Sequence, residues 1–85
     1  MQESEIRQAI EQKTGKNYNI WTIGITDDPG RRKAEHDAKG ENTKSWKEWK
    51  ADTETIARDV EEYFLAKGMK GGIGGGEHPT YVYVF

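Results

Sequence analysis

Cysteine is absent from this 85-residue chain, which excludes disulfides and thiolate metal sites. Long apolar runs are absent as well. Nothing approaches the roughly 18 residues of a membrane span, and the acidic N-terminus does not resemble a secretion signal. These absences make a soluble, cytoplasmic protein the default expectation. Only two histidines occur, so a histidine-based zinc site is not expected, and no Gly-x-Ser-x-Gly nucleophile elbow is present. Aliphatic side chains are scarce too: Leu, Ile, Val and Phe together number 13, a share found among disordered chains. Two features oppose disorder. The net charge is only −2, and three Trp with four Tyr bury much area per residue. A single small domain, residues 1–85, held by aromatic packing is the expectation.

The near-neutral charge hides an asymmetry. Residues 30–50 hold seven Lys or Arg against four acids, whereas residues 52–62 hold five acids and one Arg. Such a basic stretch permits a phosphate-facing patch, and a solvated surface face accounts for it equally well.

Hydrophobic spacing divides the chain into short elements. Ile6, Ala9 and Ile10 predict a helix over residues 3–14, stopped by Gly15. YNIWTIGIT, residues 18–26, is the best strand candidate, with Trp21, Ile23 and Ile25 on one side. DDPG then opens a second helix: Asp28 suits the N-cap, Pro29 the first helical position and Gly40 the residue after the end. That helix carries only Ala34 and Ala38 as apolar residues, so core packing alone does not explain its sequence. SWKEWKA, residues 45–51, reads as a second strand with Trp46 and Trp49 on opposite faces, or as a short aromatic-anchored loop.

Asp52 or Thr53 caps a third helix to Lys67, whose core side is Ile56, Val60 and Phe64, flanked by Ala57 and Tyr63. GMKGGIGGGEHP, residues 68–79, reads as a glycine loop. It lacks the Lys-Ser/Thr of a phosphate-binding loop, and no helix follows it. TYVYVF, residues 80–85, is a final strand expected beside residues 18–26. The fold class expected is α+β, with about three mostly antiparallel strands and two or three helices.

Three side chains carry the chemical interest. Arg32 and His36 lie four apart on the polar second helix, hence on one face. A guanidinium above an imidazole can clamp a phosphate and move a proton, although most such pairs simply face water. Glu61 falls just outside the apolar stripe of the third helix, whereas Glu62 points well away from it. Glu61 is therefore the carboxylate placed to look into a cleft and hold a divalent cation, with a solvated edge residue as the plainer account. Trp46 and Trp49 beside Lys44, Lys47 and Lys50 suit base stacking amid phosphate contacts, or filling of a core poor in aliphatics.

TIGITDDPGRRKAEH, Thr22 to His36, resembles the second signature of the GIY-YIG nuclease superfamily. Ile23-Gly24 matches its Ile-Gly, Thr26 its hydroxyl position, Arg32 its arginine and His36 the histidine that follows. ARDVEEYFL is similar to the helix that carries the family's metal-binding glutamate, which falls at Glu61. The motif tyrosine is Thr22 here, no Gly-Ile-Tyr strand precedes it, and the late asparagine is missing from the glycine loop. The C-terminal strand is expected to occupy the missing strand's place, a permutation-like arrangement in which Tyr81 or Tyr83 stands in for the lost tyrosine. The resemblance implies Mg²⁺- or Mn²⁺-dependent hydrolysis of a phosphodiester in DNA or RNA. Arg32, His36 and Tyr81 or Tyr83 would be catalytic, Glu61 would hold the metal, and Arg31, Lys33, Lys44 and Lys47 would contact nucleic acid. The alternative is a non-catalytic module of the same fold that binds nucleic acid or a protein partner, and a bystander that keeps the family's fold alone is the third reading.

Overall fold

The computed structural model of the chain describes residues 1–71 and 77–85. Helix α1 (Glu3–Thr14) leads through a single 3₁₀ turn (Tyr18–Ile20) into strand β1 (Thr22–Thr26). Helix α2 (Pro29–Ala38), strand β2 (Lys47–Lys50) and helix α3 (Glu54–Ala66) follow, then strands β3 (Lys70–Gly71) and β4 (Tyr81–Val84). The sheet order is β2-β4-β1-β3. β4 runs antiparallel to both of its neighbours, and β3 runs parallel to β1.

The helix ends follow their local chemistry. Asp28 accepts a hydrogen bond from the Arg31 N–H at 3.0 Å, and Pro29 opens α2. Thr53 accepts from the Ile56 N–H at 3.1 Å and caps α3. Gly15, Gly40 and Gly68 take φ of 61°, 80° and 112° just beyond the three helices, where a side chain would be strained.

Two layers differ in composition. On one face of the sheet, Ile6 and Ile10 of α1 and Ala57, Val60 and Phe64 of α3 pack on Ile23, Ile25, Val82 and Val84. Trp49 joins this layer from β2. The opposite face carries Thr22, Gly24, Thr26, Tyr81, Tyr83 and Phe85, because side chains alternate along each strand. α2 covers it, and His36 is the buried residue of that helix. Trp49 lies on the first face within β2, whereas Trp46, in the loop just before it, packs on the second, so the strand is shorter than the expected residues 45–51.

One further boundary and the strand count differ from what the sequence predicts. The strand expected from residue 18 begins at Thr22, because Tyr18–Ile20 coil into the 3₁₀ turn and the Trp21 N–H bonds the Tyr18 carbonyl at 3.1 Å. The sheet also has a fourth strand, so it is mixed and not wholly antiparallel. β3 was concealed in the glycine loop: Lys70–Gly71 pair through backbone alone, and such pairing needs no side-chain pattern. Gly72 to Gly76 of that loop lie outside the described residues. Among the described residues no helix is long and apolar enough to cross a membrane.

Candidate active site

The second face of the sheet brings together residues that are far apart in the chain. Tyr83 pairs across from Gly24, and its phenol lies directly over that glycine. A Cβ at position 24 would overlap the Tyr83 hydroxyl, so only glycine leaves the phenol room. The hydroxyl lies 3.0 Å from His36 Nε2. His36 Nδ1 lies 3.1 Å from Glu41 Oε2. An ionised carboxylate only accepts hydrogen bonds, so the Nδ1 proton points at Glu41 and Nε2 accepts from the Tyr83 O–H. The result is a continuous chain from Tyr83 through His36 to Glu41.

Aromatic rings enclose it. Trp46 stacks on Tyr83 with centroids 4.4 Å apart and planes 10° from parallel. The Phe85 ring lies 4.6 Å from that of His36. Trp46 is held in turn by its indole N–H, which donates to Glu48 at 3.0 Å. Burial pushes the Tyr83 phenol up to about 12, partly offset by Arg32 and reinforced by Glu61, Glu41 and Glu35. The phenol is therefore neutral at ordinary pH, and it lies within electrostatic reach of both Arg32 and Glu61.

Arg32 comes from the same face of α2 as His36, one turn earlier. Its side chain is 12% exposed and pairs with Glu35 at 3.2 Å, yet its Nε is buried with no hydrogen-bond partner. A buried guanidinium N–H without an acceptor is uncommon, because leaving it unmade costs about 1–3 kcal/mol. Glu61 is half-buried on α3, and burial raises its carboxyl above the usual range. Arg58 opposes that rise but is ion-paired with Glu54 at 2.8 Å. Among the described residues Glu61 has no hydrogen bond or ion pair of its own. Arg32 and Glu61 thus both lack full partners among the described residues, but α2 and α3 that carry them pack on opposite faces of the sheet.

The other expected residues are placed as follows. Tyr81 shares the face of Tyr83 but lies across from Thr26 and Lys50, and the hydrogen bond to His36 belongs to Tyr83. Arg31 pairs with Asp27 at 2.9 Å and Lys33 with Asp37 at 3.6 Å. Lys44 is exposed in the loop before β2. Lys47 lies across from Val84, hence on the opposite face of the sheet from Tyr83. His78 belongs elsewhere, 3.7 Å from Glu54.

Sequence reasoning missed Glu41, Trp46 as the lid on Tyr83, and Phe85. Gly40 was the available signal for Glu41. Its left-handed turn sends the chain back over the end of α2, where the Glu41 N–H bonds the His36 carbonyl at 3.1 Å. Thr43, buried and hydrogen-bonded to Asp37, ties the same loop to the helix.

Among the described residues no three His, Asp or Glu side chains gather to hold a metal ion. A single carboxylate without a partner still suits Mg²⁺, which keeps several waters and takes one or two protein carboxylates beside substrate phosphate. Compared with protein-family models, curated proteins and solved structures, the chain matches none.

Proposed function

We propose that this chain is a GIY-YIG-like endonuclease that hydrolyses phosphodiester bonds with a divalent metal ion. The observation that carries the reading is the meeting of Tyr83 with His36 beside Arg32 and over Gly24. The resemblance alone asked for a tyrosine at Thr22. In support of Tyr83 in that role, the antiparallel pairing of β4 with β1 lays it over Gly24 and 3.0 Å from His36.

The residues suggest a division of labour. Water attacks phosphorus as the bond to the leaving sugar oxygen breaks. Tyr83 is fully buried beneath Trp46, so a water reaches it only when that indole swings aside; the phenol oxygen then accepts the water proton while passing its own proton to His36 Nε2. Glu41 stabilises the imidazolium that forms, through Nδ1. The Arg32 guanidinium, with its Nε buried and its Nη1 paired with Glu35, would offset through its positive charge the charge that builds up on a phosphoryl oxygen in the transition state. Glu61 would hold the Mg²⁺ or Mn²⁺ through a carboxylate oxygen, and the bound cation supplies further neutralisation of phosphate charge.

Cleavage of labelled single- and double-stranded DNA and RNA, with Mg²⁺ or Mn²⁺, tests the reading with Glu61→Gln beside the wild type. Metal-dependent cleavage that falls at least a hundredfold in the variant is the expected outcome. No cleavage by the wild type, or equal cleavage by both proteins, defeats the reading.

A further inference from the structure

Next to the Tyr83–His36 cluster is an open pocket of about 430 Å³. Its position follows from two features of β1. Thr22 stands where the signature resembled would have a tyrosine, so a short side chain lines the space. The 3₁₀ turn just before β1 leaves Ile20 67% exposed at the pocket, an unusual placement for the largest aliphatic type in a chain so short of them. Trp21 and Phe85 add aromatic surface.

The pocket is not uniformly apolar. Glu41 and Asn42 contribute from the loop after α2, and Lys70 from β3. Glu41 has one oxygen engaged with His36 Nδ1, which leaves the other for a donor in the pocket. Asn42 offers both a donor and an acceptor, and Lys70 offers a cation. Flat apolar surface edged by amide and carboxylate, with a cation at the border, fits a heteroaromatic ring that carries hydrogen-bonding groups and a phosphate. A lipid tail would leave the carboxylate and the ammonium without partners.

Two of the lining residues also belong to the catalytic cluster. Phe85 lies 4.6 Å from the His36 ring, and Glu41 is hydrogen-bonded to it. Whatever fills the pocket therefore touches the cluster through Glu41 and Phe85, whereas Tyr83, His36 and Arg32 lie behind them. The volume falls within the range of small-ligand sites, suited to one nucleotide unit and far below a stacked duplex. A base inside a duplex presents only its edges, so its ring reaches such a pocket only when unstacked.

We infer that this pocket binds one unpaired base of a single-stranded nucleic acid, beside Glu41 and Phe85 at the edge of the Tyr83–His36 cluster. The inference rests on the phosphodiesterase reading for the chemical class of its ligand. It goes further by selecting single strands over intact duplex.

Binding and cleavage are measured separately. A fluorescein-labelled single-stranded DNA decamer and the corresponding blunt duplex are titrated into the full chain in EDTA, followed by anisotropy. Wild type is compared with Thr22→Tyr, which fills the pocket from β1, and with Asn42→Trp, which fills it from an exposed loop without touching the core. Thermal unfolding of each variant establishes that it is folded. The expected result is tighter binding of the single strand than of the duplex. Filling the pocket should weaken single-strand binding about tenfold or more, as for loss of a stacked base. Absence of single-strand binding, equal or tighter duplex binding, or wild-type affinity in the folded filled variants overturns the inference. Pocket-dependent binding without cleavage in Mg²⁺ or Mn²⁺ would defeat the phosphodiesterase reading and not the pocket. Cleavage with no effect of filling on binding would defeat the pocket alone.

Discussion

Arg32 holds a site-forming group in a state that the fold itself does not favour. The Arg32 Nε is buried without an acceptor, and its ion pair with Glu35 meets solvent on the glutamate side. Removing such a donor relieves its desolvation cost. Arg32→Met should therefore leave thermal stability unchanged or raise it by about 1 kcal/mol. The same change should lower cleavage about 100- to 1000-fold by removing a positive charge that stabilises the transition state. Calorimetry beside an activity assay checks this, and a clear loss of stability would make Arg32 structural. Glu61→Gln follows the same logic. Its carboxyl is raised by burial, so the stabilising form is the protonated one. That contribution is complete below the unfolded carboxyl range and is lost as pH rises through the raised folded value. The variant should melt higher than wild type at pH 7, and the gap should close in acid.

Tyr83 works at the other end of the scale. Its phenol, normally near 10, is pushed up to about 12 in the folded chain. The contribution is whole below pH 10 and is lost as pH climbs from 10 through 12, because the unfolded chain releases its proton first. Tyr83→Phe should flatten this part of the alkaline unfolding profile relative to wild type, as read by denaturant midpoints at successive pH values.

At the scale of elements, α2 and α3 contrast. α3 is anchored by Ala57, Val60 and Phe64 in the aliphatic core, whereas α2 buries His36 and depends more on its ends. Loss of an N-cap costs about 1 kcal/mol. Asp28→Ala should therefore loosen α2 locally, with faster amide exchange across residues 31–38 and weaker protection than the rest of the fold. Thr53→Ala should cost a similar amount without loosening α3 alone, since that helix unfolds with the core. The ends of both helices were legible because caps are local: Asp28 with Pro29, and Thr53, act within one turn. β3 was not legible, because a two-residue strand paired through backbone has no side-chain signature. The start of β1 at Thr22 was decided by the 3₁₀ turn, which competes for the same β-prone residues.

For the whole molecule, β4 is the central structural fact. It pairs with both β1 and β2, contributes Val82 and Val84 to the aliphatic core and presents Tyr83 to α2. Deleting residues 81–85 should abolish cooperative unfolding altogether, rather than trim an edge, because both layers lose their shared strand. A sigmoidal melt with native-like amide dispersion in the truncated chain would contradict that role. From the sequence alone came three helices with the N-caps of α2 and α3, the α+β class, the apolar face of α3, the pairing expected between the last strand and residues 18–26, and the shared face of Arg32 and His36. These are local or periodic properties, set by spacing within a turn or a strand. Tertiary structure alone decided that Tyr83 and not Tyr81 meets His36, that Glu41 completes the hydrogen-bonded chain, that Trp46 covers Tyr83 and that Lys47 faces away. Each of these depends on register between strands distant in the chain or on a loop folding back, and a register shift of one residue would reverse every face.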